Sequence, residues 1–129
     1  MSVGRMTDTV RRVRASVALL CLVGCSGPAA PDAAVCRDVV TRLCTEPLCE
    51  PVATSFGVDG GPCEATLLQR SGCHDDGFMF STPSRAEFLD CRIPLLRQGP
   101  SQKIHPACAD VAEVFLVCPQ VVRFFGGTP

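Results

Sequence analysis

Cysteine is the residue type most able to support chemistry in this chain, since ten of its 129 residues are cysteines. A thiol can bind zinc, carry redox chemistry, hold haem or close a disulfide, and the spacing separates these uses. No C-x-x-C pair occurs anywhere in the sequence. Zinc sites, thioredoxin-like enzymes and attached haem all use such close pairs, so the spacing disfavours all three.

The first 24 residues are typical of an export signal. Their first part has one acid, Asp8, and four arginines, at Arg5, Arg11, Arg12 and Arg14. Residues 15–24 are apolar apart from Ser16. Ten helical residues span about 15 Å, half the thickness of a bilayer core, so this segment predicts a signal rather than a membrane span. Whether Met1 or Met6 starts the chain leaves this interpretation unchanged.

The end of this apolar segment adds a more specific motif. Leu22-Val23-Gly24-Cys25 resembles the lipobox of bacterial lipoproteins, in which an apolar residue and two small residues precede a cysteine. The resemblance implies that residues 1–24 are cleaved and that Cys25 carries a diacylglycerol thioether. It also implies a cell-envelope protein held to a membrane by lipid, and Ser26 favours the outer membrane over the inner one. Ordinary secretion after signal cleavage is the alternative.

Once Cys21 is removed with the signal and Cys25 is lipidated, an even number of cysteines remains. An exported chain enters an oxidising compartment, where dispersed cysteines form disulfides. The sequence therefore predicts four disulfides, formed by Cys36, Cys44, Cys49, Cys63, Cys73, Cys91, Cys108 and Cys118.

The elements that must position these cysteines are helices. After a short tether at 25–31, apolar periodicity predicts an all-α domain over 32–129, a small disulfide-rich bundle of about four short helices. Asp32 is the predicted N-cap of the first helix, and Ser84 with Glu87 resembles a capping box. Residues 46–62 are predicted as a loop because of their prolines and glycines. The predicted helices cover 33–44, 62–71, 84–93 and 106–118.

Helix geometry also limits the disulfide pairing. Cys36 and Cys44 would lie about 12 Å apart on one helix, whereas bonded cysteines have Cα atoms within about 7 Å. The same argument excludes bonds between Cys108 and Cys118 and between Cys63 and Cys73. Bonds must therefore join different elements, and the pairing itself stays open.

A polar cluster at residues 73–77 gives an alternative function. His74, Asp75 and Asp76 could bind a divalent metal, with His105 or Glu64 completing the site, in a metal-binding periplasmic protein or enzyme. No complete metal-ligand spacing appears, and Asp and Gly are ordinary turn residues, so a solvated turn is the competing interpretation.

Other classes of function have weaker support. No catalytic or phosphate-binding motif occurs, which argues against an enzyme and against a cofactor. From Cys25 onward, eight Lys and Arg face twelve Asp and Glu, a balance of −4 that disfavours nucleic-acid binding. The expected role is a binding or structural module. If an apolar C-terminal segment stays exposed, it could contact an unknown protein partner through Val121, Val122, Phe124 and Phe125.

Overall fold

The computed structural model of the chain describes residues 29–58, 61–97 and 106–129. These residues form six α-helices and one 3₁₀ helix and contain no strand, which confirms the all-α fold. The predicted signal, Cys25 and His105 lie outside the described residues. The helices are α1 (Asp32–Leu43), α2 (Glu50–Phe56), α3 (Cys63–Ser71), α4 (Arg85–Cys91), the 3₁₀ helix (Ile93–Leu96), α5 (Cys108–Val117) and α6 (Pro119–Phe124).

The first helix forms over the predicted residues but begins differently. Its apolar positions recur every three or four residues, and Val35, Val39 and Leu43 are all buried. The prediction that Asp32 is the N-cap is wrong, because Pro31 holds that position and Asp32 is already helical. The Asp32 carboxylate bonds outside its own helix, so it is not free to cap it.

Helix α2 lies where the sequence predicted a loop. Pro51 is its second residue, a position at which the missing N–H costs no helical hydrogen bond. Gly57 ends the helix with φ of 63°, the left-handed conformation that glycine adopts without a Cβ clash. Val52 and Phe56, one turn apart, are both buried. Their burial stabilises a helix too short to be recognised from propensity alone.

The helices predicted at 62–71 and 84–93 are present as α3 and α4. Pro62 is the N-cap of α3, and Gly72 ends that helix with φ of 80°. At α4, the Ser84 hydroxyl accepts a hydrogen bond from the Glu87 N–H at 3.3 Å, and the Ser84 N–H donates to the Glu87 carboxylate at 2.8 Å. That backbone donor is the main cause of the lowered pKa of Glu87. The capping box of the sequence is therefore formed.

All eight predicted cysteines form disulfides, and every bond joins different elements. The Cα atoms of each pair lie between 5.5 and 6.0 Å apart. None of the pairs excluded by helix geometry occurs, so that part of the prediction is confirmed. The bonds are Cys36–Cys73, Cys44–Cys63, Cys49–Cys108 and Cys91–Cys118.

Phenylalanine rings connect the helices that the disulfides hold. The chain has seven phenylalanines, and contacts between ring centroids at 4.5 to 6.4 Å link all of them into one group. We call this group the phenylalanine cluster: Phe56, Phe78, Phe80, Phe88, Phe115, Phe124 and Phe125. It joins α2, α4, α5 and α6 to the segment between α3 and α4, and thereby fixes an otherwise irregular stretch of chain.

Candidate functional site

The start of the described chain is held firmly against the domain. The Phe80 N–H donates to one Asp32 carboxylate oxygen at 2.9 Å, and Arg85 donates to the other. Arg85 also donates to the Ala30 carbonyl at 2.8 Å. The Phe80 hydrogen bond, followed by that of Arg85, lowers the pKa of Asp32. We call these residues, Ala30, Asp32, Phe80 and Arg85, the N-terminal corner.

A groove lies at the opposite end of α1. Its volume is about 760 Å³, within the range of roughly 300–1,000 Å³ that is usual for small-molecule sites. The disulfide between Cys44, which ends α1, and Cys63, which begins α3, contributes to its lining. We call it the acidic groove, lined by Cys44, Glu46, Leu48, Gly61, Pro62, Cys63, Glu64, Ala65 and Leu68.

The acidic groove combines carboxylates with apolar side chains. Glu46 and Glu64 are exposed, and neither has a described ion-pair partner within 4.0 Å. Leu48 and Leu68 are partly buried and pack against the core. Two carboxylates beside aliphatic walls suit a ligand with a cationic group and an apolar part, by charge complementarity and burial of apolar surface.

The N-terminal corner and the acidic groove are separated by the length of one helix. Helix α1 has 12 residues and begins at Asp32, and at 1.5 Å per residue it is about 18 Å long. Cys44 follows its last residue and lines the groove. The domain thus has two distinct ends, one where the described residues begin and one where a ligand could bind.

The polar cluster at residues 73–77, weighed as a metal site or a solvated turn, contributes to the structure of a turn. Arg37 of α1 donates to the Cys73 carbonyl at 2.7 Å, to the His74 carbonyl at 3.0 Å and to the Asp76 carboxylate at 2.7 Å. The Asp75 carboxylate accepts a hydrogen bond from the backbone of its own turn. Arg37 therefore fastens this turn next to the Cys36–Cys73 disulfide.

No three His, Cys, Asp or Glu side chains within the described ranges are grouped so that they could hold a metal ion. His74, Asp75 and Asp76 are all exposed. His74 instead places its Nδ1 3.3 Å from the Leu68 carbonyl. The metal-binding alternative therefore stays a prediction without a ligand set in the part of the chain that the structure describes.

The C-terminal segment considered as a partner contact is packed inside the domain. Val121, Val122 and Phe125 are each at most 2% exposed, and Phe124 is partly buried against the core. The Thr128 N–H donates to the Ser55 carbonyl and ties the segment to α2. These apolar side chains fill the phenylalanine cluster and its surroundings, so they do not form an exposed patch.

Neither the acidic groove nor its acidic character was predicted from the sequence. Its lining comes from two separate stretches, 44–48 and 61–68, which the Cys44–Cys63 bond brings together. Because residues 46–62 were predicted as a loop, the sequence did not indicate that Glu46 and Glu64 lie in one groove. Knowledge of the Cys44–Cys63 pairing would have indicated it, because this disulfide joins the stretch that contains Glu46 to the stretch that contains Glu64.

Comparison of this chain with family models, with curated protein sequences and with solved structures finds no match. No helix among residues 29–58, 61–97 and 106–129 is both long enough and apolar enough to cross a membrane. Any function must therefore be argued from the residues and their arrangement.

Proposed function

We propose that this chain is a lipid-anchored protein of the bacterial cell envelope whose disulfide-bonded domain is a binding module. Cys25 is the lipid attachment site, and Ser26 favours the outer membrane. The acidic groove is the ligand site. The observation that carries the proposal is the placement of the N-terminal corner and the groove at opposite ends of α1. A domain anchored at the first end would present the groove away from the membrane.

Two further features support this proposal. The lipobox at Leu22-Val23-Gly24-Cys25 lies only a few residues before Ala29, where the described chain begins. Four disulfides are the usual means by which a small exported domain maintains its fold. An anchor close to a rigid domain is the arrangement expected of a module that binds ligands at a membrane surface.

Replacement of Cys25 by serine is expected to abolish lipid attachment. The full-length chain, expressed in a bacterium with a clickable palmitate analogue, should acquire the label and partition with membranes. The Cys25→Ser chain should remain unlabelled, because a hydroxyl does not replace the thiol in thioether formation. In-gel fluorescence of the two chains measures the difference.

Cys21→Ser is the matched control for this experiment. Cys21 lies in the same apolar segment, four residues earlier. This variant should be labelled as fully as the parent chain. An unlabelled parent chain, or label retained in Cys25→Ser, would contradict the lipid anchor.

The acidic groove is expected to bind a cationic amphiphile. Octyltrimethylammonium, titrated below its micelle concentration and followed by calorimetry, should bind, whereas octyl sulfate with the same chain length should not. Ala65→Arg should weaken this binding roughly tenfold or more, because it places a positive charge, which repels the cationic ligand, and a large side chain in the groove.

Ala86→Arg is the control for the groove variant. Ala65 and Ala86 are both exposed alanines in the first turn of a helix. An arginine at either position therefore has a similar effect on the stability of its helix. Ala86 does not line the groove. Equal loss of binding in both variants, or equal binding of the anionic amphiphile, would refute the assignment of the ligand site.

A further inference from the structure

We infer that Met79 inserts into the lipid surface to which the chain is anchored, so that residues 77–84 form the membrane-facing side of the domain. This inference rests on the proposed lipid anchor and adds which surface faces the bilayer. Met79 is 78% exposed, although the residues on either side of it are partly buried phenylalanines. Its position, its neighbours and the lack of charged side chains within residues 77–84 point to lipid.

The structure displays Met79 outward on a fixed segment. Phe78 and Phe80 are both partly buried against the core, and their ring centroids are 5.1 Å apart. Both rings also belong to the phenylalanine cluster through Phe124. Because its two neighbours are held in this way, Met79 projects from a supported position. Membrane contact would therefore not require this segment to become ordered, and the free-energy cost of ordering it is avoided.

Met79 lies where the anchored chain enters the domain. The backbone of Phe80, its immediate neighbour, donates to Asp32 at the start of α1. Arg85 holds Ala30 at the same corner. Residues 26–31, which separate Cys25 from α1, reach at most about 20 Å when fully extended. A lipid on Cys25 would thus keep this corner close to the headgroups.

The charge distribution within residues 77–84 fits contact with lipid, since these residues contain no charged side chain. Of the two exposed aspartates that precede them, Asp76 is paired with Arg37, and the Asp75 carboxylate accepts from the Gly77 N–H. Arg85, which follows residues 77–84, is already paired with Asp32. Leu96 is also exposed, but it follows Leu95, whose carbonyl accepts from Arg42, about 15 Å further along α1. Leu96 therefore lies towards the far end of the domain.

The lack of tryptophan and tyrosine in the chain makes a direct test practical. Lipidated full-length protein carrying Met79→Trp would be reconstituted into vesicles of phosphatidylethanolamine and phosphatidylglycerol with brominated acyl chains. The single tryptophan should shift its emission to the blue and be quenched by bromine. Leu96→Trp is the matched control, and its tryptophan should be neither shifted nor quenched. Flotation of the same samples with vesicles measures the anchor separately.

The outcomes separate the inference from the proposed function. Flotation of both variants with quenching only at position 79 supports membrane contact through Met79. Flotation without quenching at position 79, or with equal quenching at position 96, overturns the inference and leaves the lipid anchor intact. Failure of both variants to float overturns the anchor and the inference together.

Discussion

Reduction of the four disulfides is expected to unfold this domain, with loss of most of its helical circular dichroism. The bonds span sequence separations of 37, 19, 59 and 27 residues. Cross-links of these loop lengths each stabilise by about 3–4 kcal/mol in the chain-entropy description. Domains of this size have total unfolding free energies of about 5–15 kcal/mol, so loss of all four removes a comparable amount. Spectra with and without a phosphine reductant measure the effect.

The bonds are also expected to differ in importance. Removal of Cys49–Cys108, which closes the longest loop, should lower the unfolding free energy by about 4 kcal/mol, and removal of Cys44–Cys63 by about 3 kcal/mol. Paired alanine variants, compared by urea denaturation of the otherwise oxidised domain, test this order. Helical spectra and a cooperative transition that survive full reduction would contradict the role assigned to the disulfides.

The disulfide set was predictable while its pairing was not. The predicted export signal and an even number of dispersed cysteines indicated which cysteines pair, and helix length excluded pairs such as Cys36 with Cys44. Eight cysteines nevertheless allow roughly a hundred pairings, and the choice depends on which helices become neighbours. That choice is made by tertiary packing. The acidic groove depends on the same information, because Cys44–Cys63 forms one side of it.

The errors in the predicted helices have the same origin. Helix α2 was predicted as a loop because Pro51 and Gly57 are local signals against helix, and they become compatible with a helix only at its two ends. Burial of Phe56 in the phenylalanine cluster then stabilises it. Asp32 is a good N-cap by residue type, yet Phe80 and Arg85, about fifty residues later, take its carboxylate. By contrast, Ser84 and Glu87 were predicted correctly because both partners are local.

Replacement of Phe88 by alanine is expected to destabilise the domain by about 3–5 kcal/mol, the usual cost of deleting a buried aromatic ring. Phe88 is 1% exposed, and its ring lies 4.5 Å from that of Phe80, 5.6 Å from Phe124 and 6.0 Å from Phe125. Its loss opens a cavity where α4, α6 and the segment carrying Met79 meet. Urea denaturation of the oxidised domain, followed by circular dichroism, measures the change.

Leu116→Ala is the control that separates this effect from a general loss of apolar surface. Leu116 is also helical but 84% exposed, so its truncation should change the unfolding free energy by less than about 0.5 kcal/mol. A Phe88→Ala variant no less stable than Leu116→Ala would show that the disulfides alone hold the helices together. A large difference in unfolding free energy between the two variants would instead show that the phenylalanine cluster stabilises the fold in addition to the disulfides. It would then be the part that keeps the N-terminal corner in place against the rest of the domain.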